Sequence, residues 1–102
     1  MDEPIYRLLG LCMKAGLLLS GTDQLKASVK GKQGSLLIIA EDGSERTKDE
    51  YIHIASAVKL PWRVFGKKEQ LGRAIGKGVR TVVLIMDDGF GTSLTDKIDS
   101  QK

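Results

Sequence analysis

The sequence predicts an α/β fold with helices on both faces of a small sheet, and three observations carry that prediction. Leu36 to Ala40 is an uninterrupted apolar run of strand length, which suits a central strand covered on both faces. Thr81 to Met86 is a second strand-length segment. Stretches with apolar residues three and four apart alternate with these strands, and alternating helical and strand periods point to a layered α/β sandwich.

Each element follows from its local pattern. Ile5, Leu8, Leu9 and Cys12 recur at helical spacing and mark a first helix ending near Gly16, after which Leu17 to Leu19 makes a very short strand. A second helix begins at Ser20, turns Leu25 and Val29 inward, places Lys26 and Lys30 four apart on another face, and closes at Gly31 and Gly34. After the Leu36 to Ala40 strand, Thr47, Tyr51, Ile54, Ala55 and Val58 mark a third helix. Either Thr47 with Glu50 as a capping box or Ser44 serves as its cap. Pro61 stops this helix, and Trp62 to Phe65 forms a short strand. Lys67 to Ile75 reads as a fourth helix between Gly66 and Gly76. The last strand leads through Asp87-Asp88-Gly89 into a C-terminal helix near Gly91 to Ile98.

A length of 102 residues, 41% of them hydrophobic, fits one domain over residues 1–102 with a single core. The one cysteine, Cys12, allows no intrachain disulfide, and with the acidic Met1-Asp2-Glu3 start it leads us to expect a soluble cytoplasmic protein. No apolar run approaches the roughly 20 residues of a membrane-spanning helix.

Charge is segregated along the chain. Between Tyr51 and Met86 seven bases (Lys59, Arg63, Lys67, Lys68, Arg73, Lys77 and Arg80) face one acid, Glu69, whereas five acids crowd Glu41 to Glu50. If the bases share a face, it is an electropositive surface suited to nucleic acid; otherwise the tract is an ordinary solvated surface.

Catalysis is poorly provided for. His53, the only histidine, falls in the third helix, where a partly buried structural role is expected, and Cys12 lies on the apolar stripe of the first. A nitrogen and sulfur metal site lacks ligands, and Glu41-Asp42 with Asp87-Asp88 at strand ends offers only a weak carboxylate alternative. No nucleotide-cradling motif is present, so we expect no cofactor, no metal and no enzymatic activity.

Two segments are candidates for binding. Ser20-Gly21-Thr22-Asp23-Gln24-Leu25-Lys26 opens a helix, whose N-terminal N–H groups and dipole suit phosphates or the acceptor edges of bases. The same residues also read as a capping box, with Ser20 as cap and Asp23 returning a hydrogen bond. The loop Ile75-Gly76-Lys77-Gly78-Val79-Arg80 combines flexible backbone, two bases and an apolar tip, so Val79 either meets a nucleobase or folds inward as part of a plain connection. With five aromatic residues in all, a stacking sheet is disfavoured as the RNA reader.

The stretches Ser20-Gly21-Thr22, Leu36-Leu37-Ile38-Ile39-Ala40-Glu41-Asp42 and Leu71-Gly72-Arg73-Ala74-Ile75-Gly76-Lys77, in this order and spacing, resemble the ribosomal protein L-seven-Ae family, and most closely its small bacterial YlxQ-like members. The resemblance runs from Leu8 to about Phe90. It implies a three-layer α/β/α sandwich with a small mixed central sheet that binds structured RNA, typically kink-turns, and an association with the ribosome. In those relatives a glycine, a small residue, an asparagine, a glutamate and, three residues on, a lysine read tandem sheared G·A pairs. Here Gly21 and Thr22 agree, while Asp23, Gln24 and Ala27 depart from the last three.

The departures have physical consequences. Asp23 loses an amide donor and adds negative charge, Gln24 accepts without charge assistance, and Ala27 supplies nothing, although Lys26 one residue earlier still reaches toward phosphates. The family's second reading element is matched through Gly76, Lys77, Val79 and Arg80. The resemblance thus implies an RNA interface of Gly21, Thr22, Asp23, Gln24, Lys26, Lys30, Gly76, Lys77, Val79 and Arg80. The alternative is a protein-interaction module whose basic face docks an acidic partner.

Overall fold

A computed structural model describes residues 3–101, apart from the side chain of Thr22. Its elements run α1 (Glu3–Lys14), β1 (Leu18–Leu19), α2 (Thr22–Lys30), β2 (Leu36–Ile39), α3 (Glu45–Ala57), β3 (Trp62–Val64), α4 (Lys68–Ala74), β4 (Val82–Ile85) and α5 (Asp88–Asp99). The sheet has the order β1-β4-β2-β3, with β2 and β3 parallel and the β1/β4 and β2/β4 pairs antiparallel. It is therefore a small mixed sheet, as the resemblance implies.

The two apolar runs occupy the centre. Leu36 to Ile39 and Val82 to Ile85 are buried throughout and pair in register from Leu36 opposite Ile85 to Ile39 opposite Val82. Because successive side chains point to opposite faces, each strand feeds two cores. Leu36, Ile38, Val83 and Ile85 pack with Ile5, Leu9 and Cys12 of α1, Leu71 of α4 and Leu94 and Ile98 of α5. Leu37, Ile39, Val82 and Leu84 pack with Leu25 and Val29 of α2 and Tyr51 and Ala55 of α3. The result is three layers, with α1, α4 and α5 on one side and α2 and α3 on the other.

At several helix starts the structure decides between candidates or departs from the sequence reading, each for a local reason. Ser44, not Thr47, caps α3, its Oγ accepting the Thr47 N–H at 3.1 Å. The fourth helix begins one residue later than expected, with Lys67 in extended backbone before it and the Lys68 N–H donating to Asp42 Oδ1 at 2.8 Å. The C-terminal helix starts earlier than expected, at Asp88, because Asp87 caps it by accepting the Phe90 N–H at 2.9 Å. His53 is exposed rather than partly buried. With Tyr51 and Ala55 turned inward, a residue two positions from each lies about 200° around the helix from either.

One close approach positions the loop between α4 and β4. A Cβ on Gly72 would lie 1.6 Å from the Gly78 carbonyl oxygen, so only glycine lets the loop lie down on α4. The Lys77 N–H donates to the Gly72 carbonyl at 2.8 Å and the Arg80 N–H to the Lys68 carbonyl at 3.0 Å, fixing both ends of the contact. Gly72→Ala is expected to lower stability by about 1–3 kcal/mol, the usual cost of overpacking, as read by urea denaturation. Gly78→Ala, where the same atom meets open space, should leave stability unchanged or slightly higher.

Candidate nucleic-acid interface

The α2 N-terminus carries no side-chain cap. Its N-cap is Gly21, which has no side chain, and the first N–H with a backbone partner in this turn is that of Leu25, donating to the Gly21 carbonyl at 2.9 Å. The expected capping box between Ser20 and Asp23 is thus absent. The Ser20 hydroxyl instead accepts from Arg80 Nε at 3.3 Å, and Arg80 Nη1 donates to the Val79 carbonyl at 2.9 Å. This contact across 60 residues joins the two segments singled out in the sequence.

Between them lies an open groove of about 590 Å³, floored by Tyr51 and edged by Gly21, Lys26, Glu50, Val79 and Arg80. Val79 is 55% exposed, so the tip of the loop points outward and not into the core. Lys26 does not extend freely toward solvent. Its Nζ donates to Glu50 Oε2 at 2.9 Å and lies 5.6 Å from the centre of the Tyr51 ring. The hydrogen bond to Glu50 raises the Lys26 pKa, and the reciprocal bond lowers that of Glu50, aided by the charges of Arg46 and Lys30. Burial pushes the Tyr51 hydroxyl pKa up.

The surrounding bases divide into committed and uncommitted ones. Arg63 forks onto Asp99 with bonds of 2.8 and 3.0 Å, Lys67 pairs with Glu41 at 2.7 Å, and Arg73 pairs with Glu69 at 3.0 Å. Lys30, Lys77 and Arg80 make no ion pair among the described residues, and they sit on or beside the groove-bearing elements. Three of the seven bases of the tract, Arg63, Lys67 and Arg73, are therefore charge-balanced by acids.

The groups weighed for chemistry have other employment. Asp42 and Asp87 hold helix ends, and Glu41 pairs with Lys67. Among the described residues no three potential metal ligands lie together. Cys12 is buried, donates to the Leu17 carbonyl at 3.2 Å, and has its pKa pushed up to about 11 by burial, with the charge of Asp87 adding to the rise. A thiol held protonated in this way is a poor nucleophile.

The Ribosomal protein L7Ae/L30e/S12e/Gadd45 family model matches residues 3–94. The chain belongs to this family. The RNA-binding protein YlxQ of Bacillus subtilis (strain 168) is 31% identical over 94 residues, spanning 92% of this chain and 94% of that protein. The protein of the same name from Enterococcus faecium is 29% identical over 97 residues, spanning 95% and 93%. A Bacillus halodurans C protein of unknown function superposes with a TM-score of 0.88 at 36% identity, covering 93% of this chain and 96% of that one. The Giardia lamblia 15.5kD RNA binding protein shares the fold, with a TM-score of 0.74 at 19% identity over 97% and 85% of the two chains. Among the described residues no helix is long and apolar enough to cross a membrane.

Against the family's signature, the structure brings together only part of the expected set. Gly21, Lys26, Val79 and Arg80 line one groove. Asp23 and Gln24 are exposed on the first turn of α2, and Lys30 is exposed one turn beyond Lys26. Gly76 faces a different hollow, between α1 and α4. The side chain of Thr22 lies outside what is described. Thr47, Glu50, Tyr51, Thr81 and Val82 also line the groove and had no local signal, because the first three reach α2 through its packing against α3 and the last two through its packing against β4.

The Lys26–Glu50 pair has a defined pH window. Its contribution from Glu50, whose folded pKa is depressed, is present above the unfolded value and lost as pH falls through the folded one. That from Lys26, whose folded pKa is raised, is present below the unfolded value and lost as pH rises through the folded one. Glu50→Gln is expected to flatten both limbs of the Tm–pH curve while changing the neutral Tm little, because both partners are solvent-accessible.

Proposed function

We propose that this chain is a non-catalytic, cytoplasmic RNA-binding protein that grips structured, kink-turn-like RNA with the α2 N-terminus and the loop at residues 76–80. Its RNA is ribosomal or another folded RNA. One observation carries the reading. Gly21 has ordinary extended backbone (φ −75°, ψ 137°), and a Cβ built on it meets nothing within 4 Å. The fold does not require glycine there. What the bare backbone provides is unobstructed access to the first N–H groups of α2, whose partial positive charge suits phosphate or base acceptors. Exposed Val79, flanked by Lys77 and Arg80, supplies an apolar contact for a base between two phosphate contacts. Membership of the family and the likeness to the YlxQ RNA-binding proteins support the same class of ligand.

The Lys26–Glu50 pair and the three signature departures adjust the expected specificity. A neutralised Lys26 leaves Lys30, Lys77 and Arg80 for phosphates. Log K should then fall with log salt at a slope of about −2.7 for duplex-like RNA, and Glu50→Gln, by releasing Lys26, should steepen it to about −3.6. Gly21→Ser gives α2 the side-chain cap it lacks. Tm should hold or rise while RNA affinity falls, since the new hydroxyl occupies the N–H groups offered to the ligand. Fluorescence-detected folding of a kink-turn RNA measures both variants and also Ala27→Lys, which restores the family's lysine and should tighten binding. A protein whose affinity ignores Gly21→Ser and Ala27→Lys alike does not use this helix end for RNA.

A further inference from the structure

A short apolar groove between α1 and α4 adjoins the other end of the same loop. It has a volume of about 360 Å³ and is lined by Leu11, Met13, Ala74 and Ile75, with Arg7 and Lys14 on its rim. Leu11 is 52% exposed, although α1 turns Ile5, Leu9 and Cys12 fully into the core. The groove walls are fixed, because α1 and α4 touch closely where a Cβ on Gly10 would lie 3.0 Å from the Ala74 carbonyl. Its rim is positive. Lys14 makes no ion pair among the described residues, and the Arg7–Glu3 pair, 3.3 Å long and exposed at both ends, is easily exchanged for another anion.

We infer that this groove seats an unstacked nucleobase of the bound RNA, in a strand that continues past the loop at residues 76–80. The inference rests on the RNA reading above. Gly76, with φ +72°, turns the loop so that its first residue lines the α1–α4 groove while Val79 and Arg80 line the α2–α3 groove. Three peptide units separate Gly76 from Val79, at most about 10 Å of chain, so one RNA strand crossing the loop meets both grooves. Leu11 and Met13 offer apolar contact to a base, the Arg7 guanidinium offers a plane for stacking, and Lys14 and Lys77 offer cations to the flanking phosphates. A helical peptide is the weaker fit. Helix-in-groove recognition uses several anchors a turn apart, whereas this groove presents one exposed large apolar side chain.

Photocrosslinking of the protein to RNA extracted from cells grown with 4-thiouridine tests the placement. Crosslinked peptides are expected from residues 8–14 as well as from 20–30 and 76–80. Crosslinks at the latter two with none at 8–14 overturn this inference and leave the RNA reading standing; crosslinks at none of the three overturn both. Leu11→Asp, on an exposed side chain, should weaken binding of the same RNA about fivefold or more at unchanged Tm. Undiminished affinity would remove the base from this groove and leave it to a protein partner. Lys14→Glu gives an independent reading through loss of the crosslink at residues 8–14.

Discussion

Burying both faces of β2 and β4 is the constraint on which the rest of this structure depends. Eight consecutive-strand side chains, four from each strand, are buried, so each strand demands a helical layer above and below. Fully burying a large aliphatic side chain contributes about 1.5–3 kcal/mol, far more than any of the exposed ion pairs on this surface. The helices are thus held by their inward stripes, and their ends are left to be shaped by other needs. The α2 N-terminus and the 76–80 loop lie where the layers stop, and the α1–α4 groove is a seam within one layer.

The same layering explains how residues distant in sequence become a site. α2 and α3 share a face of the sheet, which brings Lys26 to Glu50 and sets Tyr51 beneath them. α4 lies on the opposite face, and its contact with Gly78 through Gly72 carries the loop over the sheet's end until Arg80 reaches Ser20. A groove therefore forms between elements anchored in different cores. Its two walls belong to opposite layers, and the Arg80–Ser20 hydrogen bond is the direct side-chain link between them.

The elements were legible in the sequence wherever burial wrote a period into it. The two apolar runs, the Ile5, Leu9, Cys12 stripe and the Leu25, Val29 pair all fall where their spacing places them. Helix starts were less legible, because Ser, Thr and Asp compete locally for the same role and tertiary partners settle the contest. Ser20 looks like a cap and is drawn away by Arg80, whereas Ser44 and Asp87, without such competitors, do cap. The Lys26–Glu50 pair left no trace in the sequence, since nothing local relates residues 24 apart on two helices. Gly21 was visible as a residue, yet its meaning was not. Only the backbone geometry separates a glycine the chain needs, as at Gly72, from one the chain does not.

The partnership of Lys26 with Glu50 has a consequence for selectivity. A free lysine in the groove attracts any polyanion, and inside a cell crowded with RNA that attraction lengthens every fruitless encounter as much as every correct one. With its charge balanced in place, the groove contributes little until a ligand arrives whose shape and hydrogen bonding displace or share the pair. If RNA binds through this face, as proposed, the balance exchanges raw affinity for discrimination, and the ratio between correct and incorrect sites is what governs occupancy when competitors are abundant.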